Sequence, residues 1–340
     1  MKPTIRDVAA LAGVSISTVS RVMNAPESVV ESKRTKVLQA IERLQYQPNA
    51  FARGLIYKKS HTLGVLIPDI RNPYYAGVIR GMEDAAKSLG YSIMICNTDR
   101  DKERLISYLE NFNEKQVDGI LFTSETVYPD YYAEIQRFRL PVVLVSTHSL
   151  EYELASVKIN DEAASYDAVS YLIGLGHRQI GMISLPLSDP IAGLPRYQGY
   201  MRALREHSLP HEDSRVIYAE HWYDEAHSAA GRLFGRHPET TAVFAASDEF
   251  AMGVLSYLYE SRTRVPEEVS VVGFDNIRMS GMTIPKLTTV AQPVYELGYK
   301  GVEKLHRLIE QGSVTPLREY LPHGLVIRSS AAAPRIGTQG

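Results

Sequence analysis

The side chains best placed to do chemistry fall into two groups. The first lies in TIRDVAALAGVSISTVSRVMN, residues 4–24, where Val8, Ala9 and Ala12, then Val19 and Val22, recur at helical spacing. Gly13 stands between them, where a tight turn wants positive φ. Thr4 followed by Asp7 writes a capping box for one helix, and Ser15 can cap the next. With its valines inward, the second helix presents Ile16, Ser17, Thr18, Ser20 and Arg21. A mostly polar face with one guanidinium is what a helix laid in a DNA major groove offers. An ordinary surface helical hairpin would share the spacing.

The second group closes short apolar runs. Asp69, Asn160, Asp161, Asp248 and Asp275 each stand at the end of one. NPYY sets Tyr74 and Tyr75 at the start of a helix after the first run, and Trp222, the only tryptophan, closes the seventh. Carboxylates and amides take hydroxyl donors, and aromatic faces stack on a sugar or a nucleobase. Catalytic patterns are missing. The first run leads into IPDIRNPYY without a glycine-rich turn, and no Walker sequence or G-x-S-x-G elbow occurs. The ten histidines lack metal-ligand spacing, so neither metal nor cofactor is expected. His177 in LGHRQI is read as structural.

These residues need elements to hold them. A third helix is predicted from about Glu31 to Gln45, with Val37, Leu38, Ile41 and Leu44 at core spacing and Tyr46 and Pro48 as its stop. Residues 48–60 read as a linker that becomes helical only when held, since so short a helix is marginal alone. From His61, nine apolar runs alternate with amphipathic stretches such as 74–89, 102–115 and 161–175. Near-continuous strands spaced by helices predict parallel α/β sheets with both faces covered. Their number asks for two similar lobes. Ligands of such sheets sit at the carboxyl ends of strands, which points the second group into an interlobe cleft.

Charge divides the chain the same way. Residues 1–60 hold ten Lys or Arg against four acids, a net of +6, whereas the remainder holds 27 against 35, a net of −8. A basic head on an acidic body suits a polyanion partner for the head alone. Cys96 is the only cysteine, no apolar signal core opens the chain, and no segment reaches membrane-spanning length. A cytoplasmic protein without a disulfide framework or membrane contact is expected.

TIRDVAALAGVSISTVSRVMN and the YQPNAFARGL that follows resemble the LacI/GalR family of bacterial transcription regulators. So do VLIPDIRNPYYAGVIRGME, VDGILF, LGHRQIGMIS, SDEFAMG, VSVVGFDN and LTTVAQP, in the family's order from residue 4 to about 330. The resemblance implies an N-terminal all-α helix-turn-helix head (1–46) and a hinge helix with linker (47–60). It also implies an α/β core of two parallel-sheet subdomains resembling periplasmic sugar-binding proteins. Three chain crossings would divide that core into an N-subdomain (61–161 and 291–321) and a C-subdomain (162–290 and 322–332), with a disordered tail at 333–340.

The resemblance assigns base contacts to Ile16, Ser17 and Arg21, and a minor-groove wedge to the hinge through Ala52, Arg53 and Leu55. Thr4, Ser15, Thr18 and Ser20 suit phosphate contacts. Arg196 of PRYQGY and Asp275 of VGFDN match the family's ligand arginine and carboxylate. Tyr74, Tyr75 and Trp222 join them, with Asn160, Asp161, Asp248 and Gln292 as further candidates. Arg71 could meet a sugar phosphate, or be a solvated arginine.

The implied function is a repressor binding a pseudo-palindromic operator as a homodimer, modulated by a sugar or sugar phosphate. A purine corepressor is the alternative ligand. Catabolite-control members partner a phosphorylated carrier protein, but Glu303 stands where their contact helix (about Tyr295–Gln311) expects a basic residue, although Arg307 remains. A sugar-binding transport protein would lack the head, and an α/β enzyme lacks its motifs.

Overall fold

The computed structural model describes residues 3–46, 60–220 and 223–335. The expected hinge residues Ala52, Arg53 and Leu55, and Trp222, lie outside them. Contacts divide the chain into two compact units, residues 1–60 and 61–340.

The first unit holds α1 (Ile5–Ala12), α2 (Ile16–Asn24) and α3 (Glu31–Leu44). Thr4 and Asp7 form the reciprocal capping box, and Gly13 takes φ 66° between the helices. Ser15 Oγ accepts from the Thr18 N–H at 3.2 Å and starts α2. Val8, Val19 and Val37, all fully buried, form the centre of this small core with Ala9, Ala12, Val22 and Ala40. Leu38 departs from expectation at 50% exposed. Val37, Ala40, Ile41 and Leu44 already make one helical stripe, and Leu38 falls about 100° off it. Gln45, in a left-handed conformation (φ 49°), ends α3.

The second unit carries two six-stranded sheets. Strands β1 (Thr62–Ile67), β2 (Ser92–Asn97), β3 (Gly119–Thr123), β4 (Val142–Val145) and β5 (Ala155–Ile159) build the first. Helices α4 (Pro73–Ser88), α5 (Lys102–Glu114) and α6 (Pro129–Phe138) connect them. The second sheet contains β6 (Ile180–Ser184), β7 (Val216–Tyr218), β8 (Ala242–Ala245), β9 (Ser270–Asp275) and β10 (Thr288–Ala291). Around it lie α7 (Asp161–Gly174), α8 (Gly193–Glu206), α9 (Tyr223–Arg236) and α10 (Asp248–Glu260). The chain then adds α11 (Val294–Gln311) and β11 (Arg318–Leu321) to the first lobe and β12 (Gly324–Val326) to the second.

The strand orders are β11-β5-β4-β3-β1-β2 and β12-β10-β9-β8-β6-β7, parallel throughout except β12 on β10. The chain passes between sheets after β5, after β10 and after β11, so Asp161 and Gln292 stand at two of the passages. Beyond the nine runs read from sequence, β10, β11 and β12 are short strands; β10 pairs with the preceding β9, whereas β11 pairs with β5 from far along the chain. Just before the tail, Ala332 is bonded through its carbonyl to His177 Nε2 (2.9 Å) and Ser270 Oγ (3.0 Å). Thr241 takes the other ring nitrogen of His177 at 2.9 Å, so this histidine is structural.

Two glycines set the packing of α4 on α11. A Cβ at Gly81 would lie 2.0 Å from the Tyr295 carbonyl oxygen, and one at Gly298 would lie 1.9 Å from that of Val78. The helices therefore touch backbone to backbone.

Candidate functional site

Both sheets turn the carboxyl ends of their strands toward one cleft of about 690 Å³, its open mouth included. In each sheet the order reverses beside the first strand, between β1 and β3 and between β6 and β8. That reversal separates the loops and opens a crevice.

On the first lobe Asn72 caps α4, its Oδ1 accepting from the Tyr74 N–H at 2.9 Å. The cap turns Tyr74 and Tyr75 into the cleft wall, buried and in edge-to-face contact at 5.4 Å. The Tyr74 hydroxyl bonds Ser146 Oγ (2.7 Å) and donates to Gln292 Oε1 (3.3 Å). Gln292 Nε2 in turn donates to Asp275 Oδ1 at 2.8 Å. A polar chain thus runs Ser146–Tyr74–Gln292–Asp275 from one lobe to the other.

Asp275 ends β9 with φ 118°, a conformation that non-glycine residues hold only under constraint. Burial pushes its carboxyl up to about 7; Arg196 and Gln292 pull it down, while Asp161 and Glu249 push it further up. Arg196, on α8, is 7% exposed. It donates to Asp161 Oδ1 through Nε (3.0 Å) and Nη2 (2.9 Å), and to the Ala246 carbonyl through Nη1 (2.6 Å). Its guanidinium lies 3.8 Å from the Phe274 ring centroid. Burial also raises Tyr74, and lifts Tyr75 to about 12, so both phenols stay protonated.

Tyr74, Tyr75, Asp161, Arg196, Asp275 and Gln292 therefore meet in one place. Two expected ligands do not. Asn160 is exposed and caps α7 through the Ala163 N–H (3.0 Å), so its acceptor serves the helix. Asp248 is fully buried and accepts from the Ile277 N–H (2.8 Å) and the Thr289 hydroxyl. It ties β9 to β10 behind the cleft wall. Asp69 holds Arg71 through two side-chain bonds of 2.9 and 3.0 Å at the mouth, where Arg71 is two-thirds exposed. Sequence reasoning missed Ser146, Lys158 and Asp189. Lys158 did carry a signal, a charge inside the apolar run ASVKIND.

In the first unit Ile16 is 45% exposed, Ser17 and Arg21 are exposed, and Thr18 and Ser20 are half-buried. Ser15 Oγ is shared with Ser17 Oγ (2.8 Å) and Thr18 Oγ1 (2.9 Å), which orders the start of this face.

Residues 4–49 match the family described as bacterial regulatory proteins of the LacI family. Residues 60–328 match the periplasmic binding proteins and sugar-binding domain of that family. The chain belongs to the LacI family. Catabolite control protein A of Priestia megaterium is 40% identical over 330 residues, spanning 97% of this chain and 99% of its own length. The structure of the lac repressor dimer bound to operator and an anti-inducer superposes with a TM-score of 0.88 at 27% identity, covering 98% of this chain and all of that one. The complex of the regulator CelR with cellobiose gives 0.75 at 30%, covering 97% and 100%. As a LacI-family member the chain is a DNA-binding transcriptional regulator rather than an enzyme. Among the described residues no helix is long and apolar enough to cross a membrane.

Proposed function

We propose that this regulator is a homodimeric repressor whose affinity for a pseudo-palindromic operator is set by a small ligand of the sugar or sugar-phosphate class in the interlobe cleft. The observation that carries the reading is the Ser146–Tyr74–Gln292–Asp275 chain, which joins the lobes at the point where Arg196 also enters. A ligand that takes bonds from Asp275 and Arg196 changes this chain, and with it the relative free energy of lobe arrangements. Coupling to the head then follows by linkage, and its sign depends on which arrangement the ligand prefers. Cellobiose bound to a protein of the same fold supports a sugar.

On the head, Ile16 suits a thymine methyl, Arg21 a guanine, and Ser17 several base edges. Thr4, Ser15, Thr18 and Ser20 would serve phosphates, and Leu55 with Ala52 and Arg53 the minor groove. The compartment we propose is the cytoplasm. The test is a thermal-shift screen over sugars, sugar phosphates and purines, followed by operator binding with and without each hit. A cleft ligand that shifts operator affinity supports the reading. Binding to operator and random DNA with equal affinity, or operator affinity indifferent to every hit, overturns it.

Identity to a catabolite control protein favours a second reading, in which a phosphorylated carrier protein docks on α11. There Glu303 accepts from Lys300 Nζ at 2.8 Å, so the acid that departs from the expected pattern is already neutralised. Operator affinity raised by the phosphorylated carrier, and not by the plain carrier, is the result that would select this reading.

A further inference from the structure

Lys158 lies on β5, a strand buried along its whole length, and is 4% exposed. Its ammonium leaves the first lobe to meet Asp161 Oδ2 at 3.1 Å and the Ile191 carbonyl at 3.4 Å. His148 Nδ1 stands at 3.4 Å from the first lobe. Burial, Lys158 and Arg318 push His148 down to about 4, so it is neutral and Nδ1 can accept. A lysine has three N–H donors, and these three acceptors account for them. Arg196 is committed in the same way to Asp161, to Ala246 and to the Phe274 face. One carboxylate, Asp161, therefore holds both buried cations of the cleft.

Asp275 and Asp189 accept their hydrogen bonds from neutral groups, although the Arg196 charge also acts on Asp275. Asp275 accepts from the Gln292 amide, and Asp189 accepts from the backbone N–H groups of Ile191 (2.8 Å) and Ala192 (3.2 Å). Burial and Asp69 raise Glu249, outweighing Arg71. Arg100 is the one further cation among the described wall residues. At the mouth Asp69, Asp99 and Glu220 are added, with Asp69 paired to Arg71 and Asp99 to Arg104. At both depths the acids outnumber the bases.

Resting on the effector reading above, we infer that the cleft selects a hydroxyl-rich ligand without a phosphate or carboxylate, and that the Lys158–Asp161–Arg196 array sets this selection. An anionic group would have to displace Asp161 from its two partners or lie against Asp275, Asp189 and Glu249. Like charges brought together in a desolvated site are strongly unfavourable, and such repulsion is how a site rejects a close analogue. Hydroxyls meet no such barrier, because Asp275 accepts hydrogen bonds from them and the remaining in-plane N–H groups of Arg196 donate to their oxygens.

The experiment is calorimetric titration of the full-length protein with glucose, gluconate and glucose 6-phosphate, and with ribose, ribose 5-phosphate and cellobiose. The expected result is binding of at least one neutral sugar, with its anionic counterpart at least about tenfold weaker. Asp161→Asn keeps the shape and frees Lys158 and Arg196, so the deficit should narrow or reverse. Asp189→Asn removes one wall charge, keeps an oxygen acceptor for the Ile191 and Ala192 N–H groups, and should narrow it by about threefold; it carries the test if Asp161→Asn does not fold. An anionic sugar binding as tightly as its neutral parent overturns the inference and leaves the effector reading standing. So does a deficit unchanged in every folded variant. If neither these nor any sugar or sugar phosphate of the wider screen binds, the effector reading itself fails.

Discussion

Asp275 is held at φ 118°, buried, and bonded to an amide rather than to a cation. Once ionised, above about pH 7, such a carboxylate is poised to accept from an incoming hydroxyl. Removing one partner of a desolvated, charge-assisted bond costs about 2–3 kcal/mol. Asp275→Ala should accordingly weaken the ligand found by screening about thirty- to hundredfold while operator binding without ligand survives. Titration of both proteins with that ligand, read by operator binding, checks this; a wild-type response from the variant would remove Asp275 from the site.

The same residue makes stability depend on pH. Its carboxyl holds a proton to about pH 7 in the folded chain and releases it near 3.8 when unfolded. The folded state thus binds more protons between those values, and stability falls as pH rises through them. Asp275→Asn, which cannot ionise, should melt higher than wild type at about pH 8, with the advantage fading toward about pH 4. A pH-independent difference in Tm would mean that relief of backbone strain, not charge, separates the two.

At the scale of elements, the contact of α4 with α11 depends on two glycines. Gly298→Ala would drive a methyl into the Val78 carbonyl, and backbone cannot move aside as a flexible side chain can. Overpacking of this kind costs about 1–3 kcal/mol or more, so the core should unfold at lower denaturant with its m-value unchanged. A melt equal to wild type would show that the helices can slide apart freely. Leu55, outside the described residues, belongs to the expected hinge. If it wedges a base step, Leu55→Ala should weaken operator binding by several kcal/mol and leave random-sequence binding nearly unchanged, because the latter rests on phosphates. Equal losses on both DNAs would count against the wedge.

For the whole molecule, assembly and DNA geometry go together. A dimer reading one pseudo-palindrome is the expected state, because a two-fold protein matches a two-fold site. Sedimentation velocity should give one species of about twice 38.0 kDa at working concentration. A stable tetramer would refute this, and so would a monomer. The two lobes give the molecule its sensing element. Each sheet packs a buried apolar core, and polar groups such as Tyr74, Gln292 and Asp275 meet in the cleft between them, where a ligand can bias the arrangement of the lobes.

Sequence alone determined what depends on neighbours in the chain. Helical stripes, the Thr4–Asp7 box, the Gly13 turn and the alternation of apolar runs with helices are local patterns, and local sterics fix them. It also placed Asp161, Asp275 and the tyrosines at strand and helix ends, where parallel sheets present their loops. Tertiary structure decided which of several similar acids faces the cleft. Asp248 and Asp275 both close a strand-like run, yet Thr289, forty-one residues on, draws Asp248 inward, while Gln292 leaves Asp275 at the surface of the cleft. Tyr74 became a bridge because Gln292, 218 residues away, arrives at a crossing of the chain. Lys158 became part of the site because Asp161 and Ile191 of the other lobe close over it. Local spacing sets which way a side chain leaves its own element. The partner it then meets is set by passages between the sheets, which bring together residues that no short-range pattern connects.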